Sequence, residues 1–293
     1  MTQIPRVLSI AGTDPTGGAG IHADLKSIAA NGGYGMAAVT VLVAQNTRGV
    51  RATHAPPASF LTSQLDAVSD DVTIDAVKIG MLGDTAIIDA VADWLTRVPP
   101  PIVVLDPVMI ATSDDRLLDE TAEGSLRALV PRVDLVTPNL PELAILLDEP
   151  VARDWAHALD QGERLAQDTG TRVLVKGGHL AGMACPDALV GAGEAPFVLD
   201  GIRINTPHTH GTGCSMSAAL ATRLAVHGDW RRALTETKAW LTDSIQSAAE
   251  LRVGAGHGPI NHFHALWSAA QAPQITHTTH VSHAMQTNEG SRS

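Results

Sequence analysis

The sequence predicts an α/β fold built on a mostly parallel sheet covered by helices. Three observations carry that expectation. Short runs rich in Val, Ile and Leu alternate with longer segments of helical period, as strands buried on both faces alternate with crossover helices. Each strand candidate is followed by a polar, turn-rich loop, and in open parallel sheets such loops gather at the carboxyl edge, where ligands bind. The helical segments stop where their chemistry requires it: Gly32-Gly33 can supply a left-handed cap, and Pro99-Pro100-Pro101 forbids continuation past Val98.

Strands are expected at residues 6–10, 38–43, 76–79, 102–105, 134–136 and 172–175, with helices at 21–31, 57–68, 85–97, 121–129, 141–147 and 155–168. Residues 188–190 and 197–204, split by Gly191-Ala192-Gly193-Glu194, read as a hairpin-like excursion. Helical period returns at 214–226, 230–251 and 257–267. No linker interrupts this order, so residues 1–268 are expected to form a single domain, and the polar, aperiodic stretch 269–293 a disordered tail.

Composition narrows the function classes. A chain of 293 residues can bury a sizeable core, which the 3% of aromatics makes an aliphatic one. Against 31 Asp+Glu stand 20 Lys+Arg, a formal charge of −11, and no basic block is present to neutralise a nucleic-acid backbone or an anionic membrane. The two cysteines, Cys185 and Cys214, form no CxxC pair, and so small a number suits a reducing cytoplasm. Residues 1–5 lead straight into a strand candidate without a signal-like segment, and no apolar run approaches spanning length.

Six loops share the expected carboxyl edge. They contain Gly12-Thr13-Asp14, Ala44-Gln45-Asn46-Thr47, Gly80-Met81-Leu82-Gly83, Asp106-Pro107-Val108-Met109, Thr137-Pro138-Asn139-Leu140-Pro141-Glu142 and Lys176-Gly177-Gly178-His179. No Walker A sequence and no strand-following GxGxxG occurs. The candidate phosphate-binding element is His210-Gly211-Thr212-Gly213-Cys214, which opens an apolar helix. Unpaired N–H groups and the positive end of a helix dipole favour an anion there, and the glycines permit close approach. An ordinary glycine-rich turn would look the same from the Gly-Thr-Gly triplet alone. His208 and His210 come without the cysteine or carboxylate neighbours of a zinc site.

Taken together, these motifs resemble the hydroxymethylpyrimidine/phosphomethylpyrimidine kinases of the ribokinase-like superfamily. The matching words are Ser9-Ile10-Ala11-Gly12-Thr13-Asp14, Gly17-Gly18-Ala19-Gly20-Ile21, Ala23-Asp24-Leu25-Lys26, Gln45-Asn46-Thr47-Arg48-Gly49, Lys78-Ile79-Gly80-Met81, Asp106-Pro107-Val108-Met109, Asn139-Leu140-Pro141-Glu142, Lys176-Gly177-Gly178-His179 and His210-Gly211-Thr212-Gly213-Cys214, in the family's order over roughly residues 6–267. Pro15-Thr16 and His22 depart from the family's usual residues.

The resemblance implies a three-layer αβα fold with helices on both faces of the sheet, a homodimer, ATP as co-substrate and Mg²⁺ as its metal. It implies that Cys214 accepts the substrate's hydroxyl proton behind an anion hole of Gly211, Thr212 and Gly213, and a thiol at a helix N-terminus is expected to ionise more readily. A small core cysteine is the plain alternative. By the same resemblance Gln45, Asp24 and Gly12 make polar contacts with an aminopyrimidine between Val43, Met81 and Val108. Asp24 could instead pair with Lys26 or solvent, and Met81 and Val108 could be core. Asn139, Glu142 and Lys176 serve the nucleotide, and Asp106 with Glu142, through water, serves the metal. Asn139 and Glu142 are also spaced as a capping box. Pyridoxal or pyridoxine kinase, on the same scaffold, and a pyrimidine-sensing homologue without turnover are the competing readings.

Overall fold

The computed structural model describes residues 3–109 and 117–271. Their main feature is an eight-stranded sheet in the order β10-β9-β8-β7-β6-β5-β1-β2. The strands are β1 (Arg6–Ala11), β2 (Tyr34–Val39), β5 (Ala76–Ile79), β6 (Val103–Leu105), β7 (Leu135–Val136), β8 (Arg172–Lys176), β9 (Asp187–Val190) and β10 (Phe197–Leu199). All pairs from β2 across to β8 are parallel, whereas β9 and β10 run antiparallel. The expected hairpin-like excursion is therefore the β9–β10 ribbon, shorter at its second strand than the sequence suggested.

Alternation of side chains assigns each helix to a face. Leu8 and Ile10 of β1, Val77 and Ile79 of β5 and Leu105 of β6 pack into one core with α2 (Ala58–Ser69), α3 (Thr85–Arg97), α4 (Glu123–Leu129), α5 (Leu140–Leu147) and α6 (Trp155–Thr169). Val7, Ala76, Val104, Leu135 and Leu174 face the other way, onto α1 (Gly20–Ala30), α7 (Thr212–His227) and α8 (Trp230–Gln246). Two aliphatic layers thus enclose one sheet, giving the three-layer α/β architecture with helices on both faces. Strand order reverses between β1 and β5, since the chain first adds β2 on one side of β1 and then returns to add β5 on the other. Loops leave the sheet in opposite senses at such a reversal and open a crevice between them.

Three expectations need correction. Residues 38–43 are not one strand: β2 ends at Val39 and a separate two-stranded sheet begins at Leu42, formed by β3 (Leu42–Asn46) and β4 (Gly49–His54). The break at Thr40 and Val41 has local causes, because the Thr40 hydroxyl donates to the Met81 carbonyl at 2.6 Å and the Val41 carbonyl accepts from Thr13 N–H at 2.9 Å. Residues 257–267 are not one helix; α9 covers only His264–Gln271. Before it, His257 N–H is spent on the Thr47 carbonyl and Asn261 N–H on that of Ser244. Because α9 reaches Gln271, the tail expected from 269 begins inside a helix, and residues from 272 lie outside those described. No helix among the described residues is long and apolar enough to cross a membrane.

Candidate active site

The anion-binding turn forms as its residues require. Gly211 is the N-cap of α7 at φ 78°, a left-handed conformation that costs glycine little. A side chain there would also drive its Cβ to within 1.7 Å of the Gly18 carbonyl oxygen. Thr212, Gly213 and Cys214 then make the first turn of α7, where backbone N–H groups have no intrahelical partner, although the Thr212 N–H donates to the Thr209 carbonyl ahead of the helix at 3.2 Å. The start of α1 meets the same point, for the Gly20 N–H reaches the Cys214 sulfur. Cys214 thus sits where two helix N-termini converge.

Its thiol is not lowered in pKa, contrary to the expectation from a helix N-terminus. Burial is the largest influence and pushes the thiol up to about 11. Lys78 and the Gly20 N–H oppose the rise, and the carboxylates of Asp24 and Asp106 add to it. Desolvation of the anion outweighs the nearby dipoles and cation.

Below this corner lies Lys78, which stood among the matching words but without an expected role. Lys78 is the third residue of β5, whose four residues are all buried. Its register places it with Ala76 on the α1 and α7 face, where it donates to both carboxylate oxygens of Asp24 at 2.9 Å. The Ser9 hydroxyl, on β1, adds a third bond to Asp24 Oδ2 at 2.6 Å. Asp24 is therefore bound to Lys78, not to Lys26 or to solvent, and its carboxylate is closed off beneath the crevice. The signal, in hindsight, was a lysine within a four-residue strand otherwise made of Ala, Val and Ile.

Beyond the carboxyl ends of β1, β2, β5 and β6 stand the elements expected to bind a ring. Gly12 lies against Met81, whose sulfur would be 3.1 Å from a Cβ at that position. Val43 is buried, its N–H held by the Thr13 hydroxyl at 2.9 Å. Gln45 follows at a register shift of the β3–β4 hairpin and pairs with Val50. The hairpin tip is fixed by distant backbone: the Thr47 carbonyl accepts from His257 N–H at 2.8 Å, and its hydroxyl accepts from Gly256 N–H at 3.2 Å. Val108, partly exposed, follows β6, its N–H bonded to the Asp106 carbonyl.

Charged groups follow β6, β7 and β8 at the same edge. The Asp106 carboxylate accepts from the Thr137 hydroxyl at 3.1 Å and lies 3.6 Å from Lys176 Nζ. Both face Gly213, with Asp106 Oδ2 3.7 Å and Lys176 Nζ 3.8 Å from where its Cβ would be. Asn139 and Glu142 form the complete capping box of α5: the Asn139 side chain accepts from Glu142 N–H at 2.9 Å, and Glu142 accepts from Asn139 N–H at 2.8 Å. Burial pushes the Glu142 carboxyl up to about 7, Lys176 draws it down and Asp106 adds to the rise. A carboxyl whose ionisation is opposed by burial and by a neighbouring carboxylate fits a site that a divalent cation would relieve, and no cluster of three or more metal-binding side chains exists among the described residues.

The model of the phosphomethylpyrimidine kinase family matches residues 14–261. The chain belongs to that family. It is 50% identical over 262 residues to the hydroxymethylpyrimidine/phosphomethylpyrimidine kinase of Escherichia coli, covering 89% of this chain and 98% of the relative. It is 52% identical over 277 residues to the thiamine biosynthesis multifunctional protein ThiED of Corynebacterium glutamicum, covering 94% of this chain but 36% of that protein. The chain thus spans about a third of the multifunctional relative's length. Among solved structures, an ADP complex of Bacillus subtilis pyridoxal kinase is similar with a TM-score of 0.81 and 30% identity, covering 90% of this chain and 100% of that one. The crevice at the β1/β5 reversal, with the α7 N-terminus facing Asp106 and Lys176 across Gly213, is the candidate active site.

Proposed function

We propose that this chain transfers the γ-phosphoryl group of ATP to 4-amino-5-hydroxymethyl-2-methylpyrimidine, and then a second phosphoryl group to the resulting phosphate, in cytoplasmic thiamine biosynthesis and as a homodimer. One observation carries the reading: the Gly211-Thr212-Gly213-Cys214 turn faces Asp106 and Lys176 across Gly213, and Gly12, Val43 and Met81 follow β1, β2 and β5 at the same carboxyl edge of the sheet. Phosphoryl transfer needs two reactants aligned and the charge of a loose transition state met by fixed donors. The α7 N-terminus supplies those donors, with Lys176 beside them. Gln45 matches the donor and acceptor pattern of an aminopyrimidine, Gly12 offers backbone, and Val43, Met81 and Val108 flank the ring. Asp24 acts from below, through its bond to Lys78.

The substrate oxygen attacks phosphorus, the bond to the bridging oxygen of ADP breaks, and the hydroxyl proton passes to the Cys214 thiolate. That thiolate is a minor species at neutral pH, which a loose transition state tolerates because the attacking oxygen needs little activation. Asn139, Glu142 and Lys176 hold the nucleotide end. Mg²⁺ would be held near Asp106 and Glu142, through water, and would offset phosphate charge.

Incubation with ATP, Mg²⁺ and the hydroxymethylpyrimidine, followed by mass analysis, should yield the monophosphate and then the diphosphate; no product with ATP intact would leave a sensor in place of an enzyme. The Bacillus subtilis likeness favours pyridoxal as the second substrate to assay. A kcat/KM for pyridoxal above that for the pyrimidine would reverse the assignment.

A further inference from the structure

Asp14 has no part in the chemistry assigned so far, yet it is fully buried beside the anion-binding turn. Five donors converge on its one carboxylate. Oδ1 accepts from the Thr16 N–H at 2.9 Å and the Thr16 hydroxyl at 2.8 Å. Oδ2 accepts from Gly18 N–H at 3.1 Å, Ala19 N–H at 2.8 Å and His210 Nε2 at 2.8 Å. Burial pushes the carboxyl up, but the bonds from His210 and Thr16 outweigh it and hold it at about 2. Asp14 is therefore acceptor-only in the working range, and His210 carries its proton on Nε2.

These bonds join two segments distant in sequence. Thr16, Gly18 and Ala19 lead directly into α1, whose Gly20 N–H reaches the Cys214 sulfur. His210 leads directly into Gly211 and the N-terminus of α7. The two segments also touch through backbone, where Gly18 carbonyl and Gly211 leave no room for a Cβ. One carboxylate thus fixes the position of one helix N-terminus relative to the other.

We propose that Asp14 is a positioning residue for phosphoryl transfer: its bond to His210 latches the α1 and α7 N-termini together, so that α1 keeps its Gly20 N–H on Cys214 and the first-turn N–H groups of α7 stay aimed at the reacting phosphoryl group. The inference rests on the reading of this turn as the transfer site. A displacement of donors by a fraction of an ångström costs transfer rate while leaving each substrate's own pocket intact.

Asp14→Asn keeps the shape but turns an amide N–H towards groups that donate, and it should lower kcat by about 10- to 100-fold with KM for ATP and for the pyrimidine within about threefold. His210→Ala should do the same. His210→Gln, which keeps an N–H for Asp14, should recover most of that loss. Because both changes open one latch, the double variant Asp14→Asn/His210→Ala should fall within about threefold of the worse single variant. Losses that multiply, a rise of both KM values at unchanged kcat, or equal failure of His210→Gln and His210→Ala would overturn the proposal. If Asp14→Asn does not fold, the His210 pair still decides it. Cys214→Ala tests the thiol separately: full activity there would dismiss the proton acceptor and leave the latch to be judged on its own kcat ratios.

Discussion

Lys78 and Asp24 form a closed ion pair, with Nζ at 2.9 Å from each carboxylate oxygen and neither side chain exposed to solvent. Such a pair costs desolvation on both partners, and loss of one partner leaves the other charge stranded. Lys78→Met is expected to destabilise the fold by about 3–5 kcal/mol in urea unfolding, and Lys78→Met/Asp24→Asn to regain most of that. A single variant within about 1 kcal/mol of the parent would mean that water or rearrangement already screens the pair.

Cys214 gives a pH signature of definite sign. Its thiol is held up at about 11, so below that pH the thiolate fraction grows as pH rises. With Cys214 as proton acceptor, the single-turnover rate should climb by roughly tenfold per pH unit between pH 7 and 9, without a plateau. Cys214→Asp should move that limb to lower pH, and Cys214→Ala should lose about 10²–10⁴-fold. A flat wild-type profile would remove the thiol from the reaction.

Gln45 stands on the hairpin and not on the sheet, so its effect should be confined to one substrate. Gln45→Ala is expected to lower kcat/KM for the pyrimidine by the equivalent of about 1–3 kcal/mol, with KM for ATP within about twofold. Parallel loss for both substrates would assign Gln45 to the fold.

His262 is buried against Trp240, with Nε2 2.9 Å from the Ser215 hydroxyl. Burial, reinforced by Lys26, lowers its pKa to about 3, although the Ile260 carbonyl favours the proton. Between the unfolded value near 6.5 and that folded value, only the unfolded state takes up a proton, so stability falls as pH falls. The loss from this residue should reach about 2 kcal/mol by pH 5, and His262→Gln should abolish it. Urea unfolding of both proteins at pH 7.5, 6 and 5 measures it. A stability gap that stays constant across those pH values would show that His262 accepts a proton in the folded state.

What the sequence could and could not convey follows from the range of the interactions. Ala76–Ile79 and Thr85–Arg97 appear with the expected bounds because apolar run, period and stop signals are all local. The β3–β4 hairpin was hidden, since residues 44–49 carry turn chemistry and the anchor of Thr47 comes from Gly256 and His257. The capping box of Asn139 and Glu142 was legible from spacing alone, and the pairing of Asp24 with Lys78, across 54 positions, was not. Cys214 is the instructive case. Position at a helix N-terminus is a sequence property and argued for an acidic thiol, whereas the burial that reverses the sign is a property of the assembled layers.

The clasp on Thr47 bears on how the protein is made. The hairpin bearing Gln45 emerges early in synthesis, yet the backbone that pins its tip comes more than two hundred residues later. Chains lengthen at about 5–20 residues per second, so the hairpin waits on the order of ten seconds or more for its anchor. During that interval the β1 and β2 region can pair while the Gln45 side of the crevice has no fixed wall, and a ribosome stalled before Gly254 would display a sheet without a finished crevice.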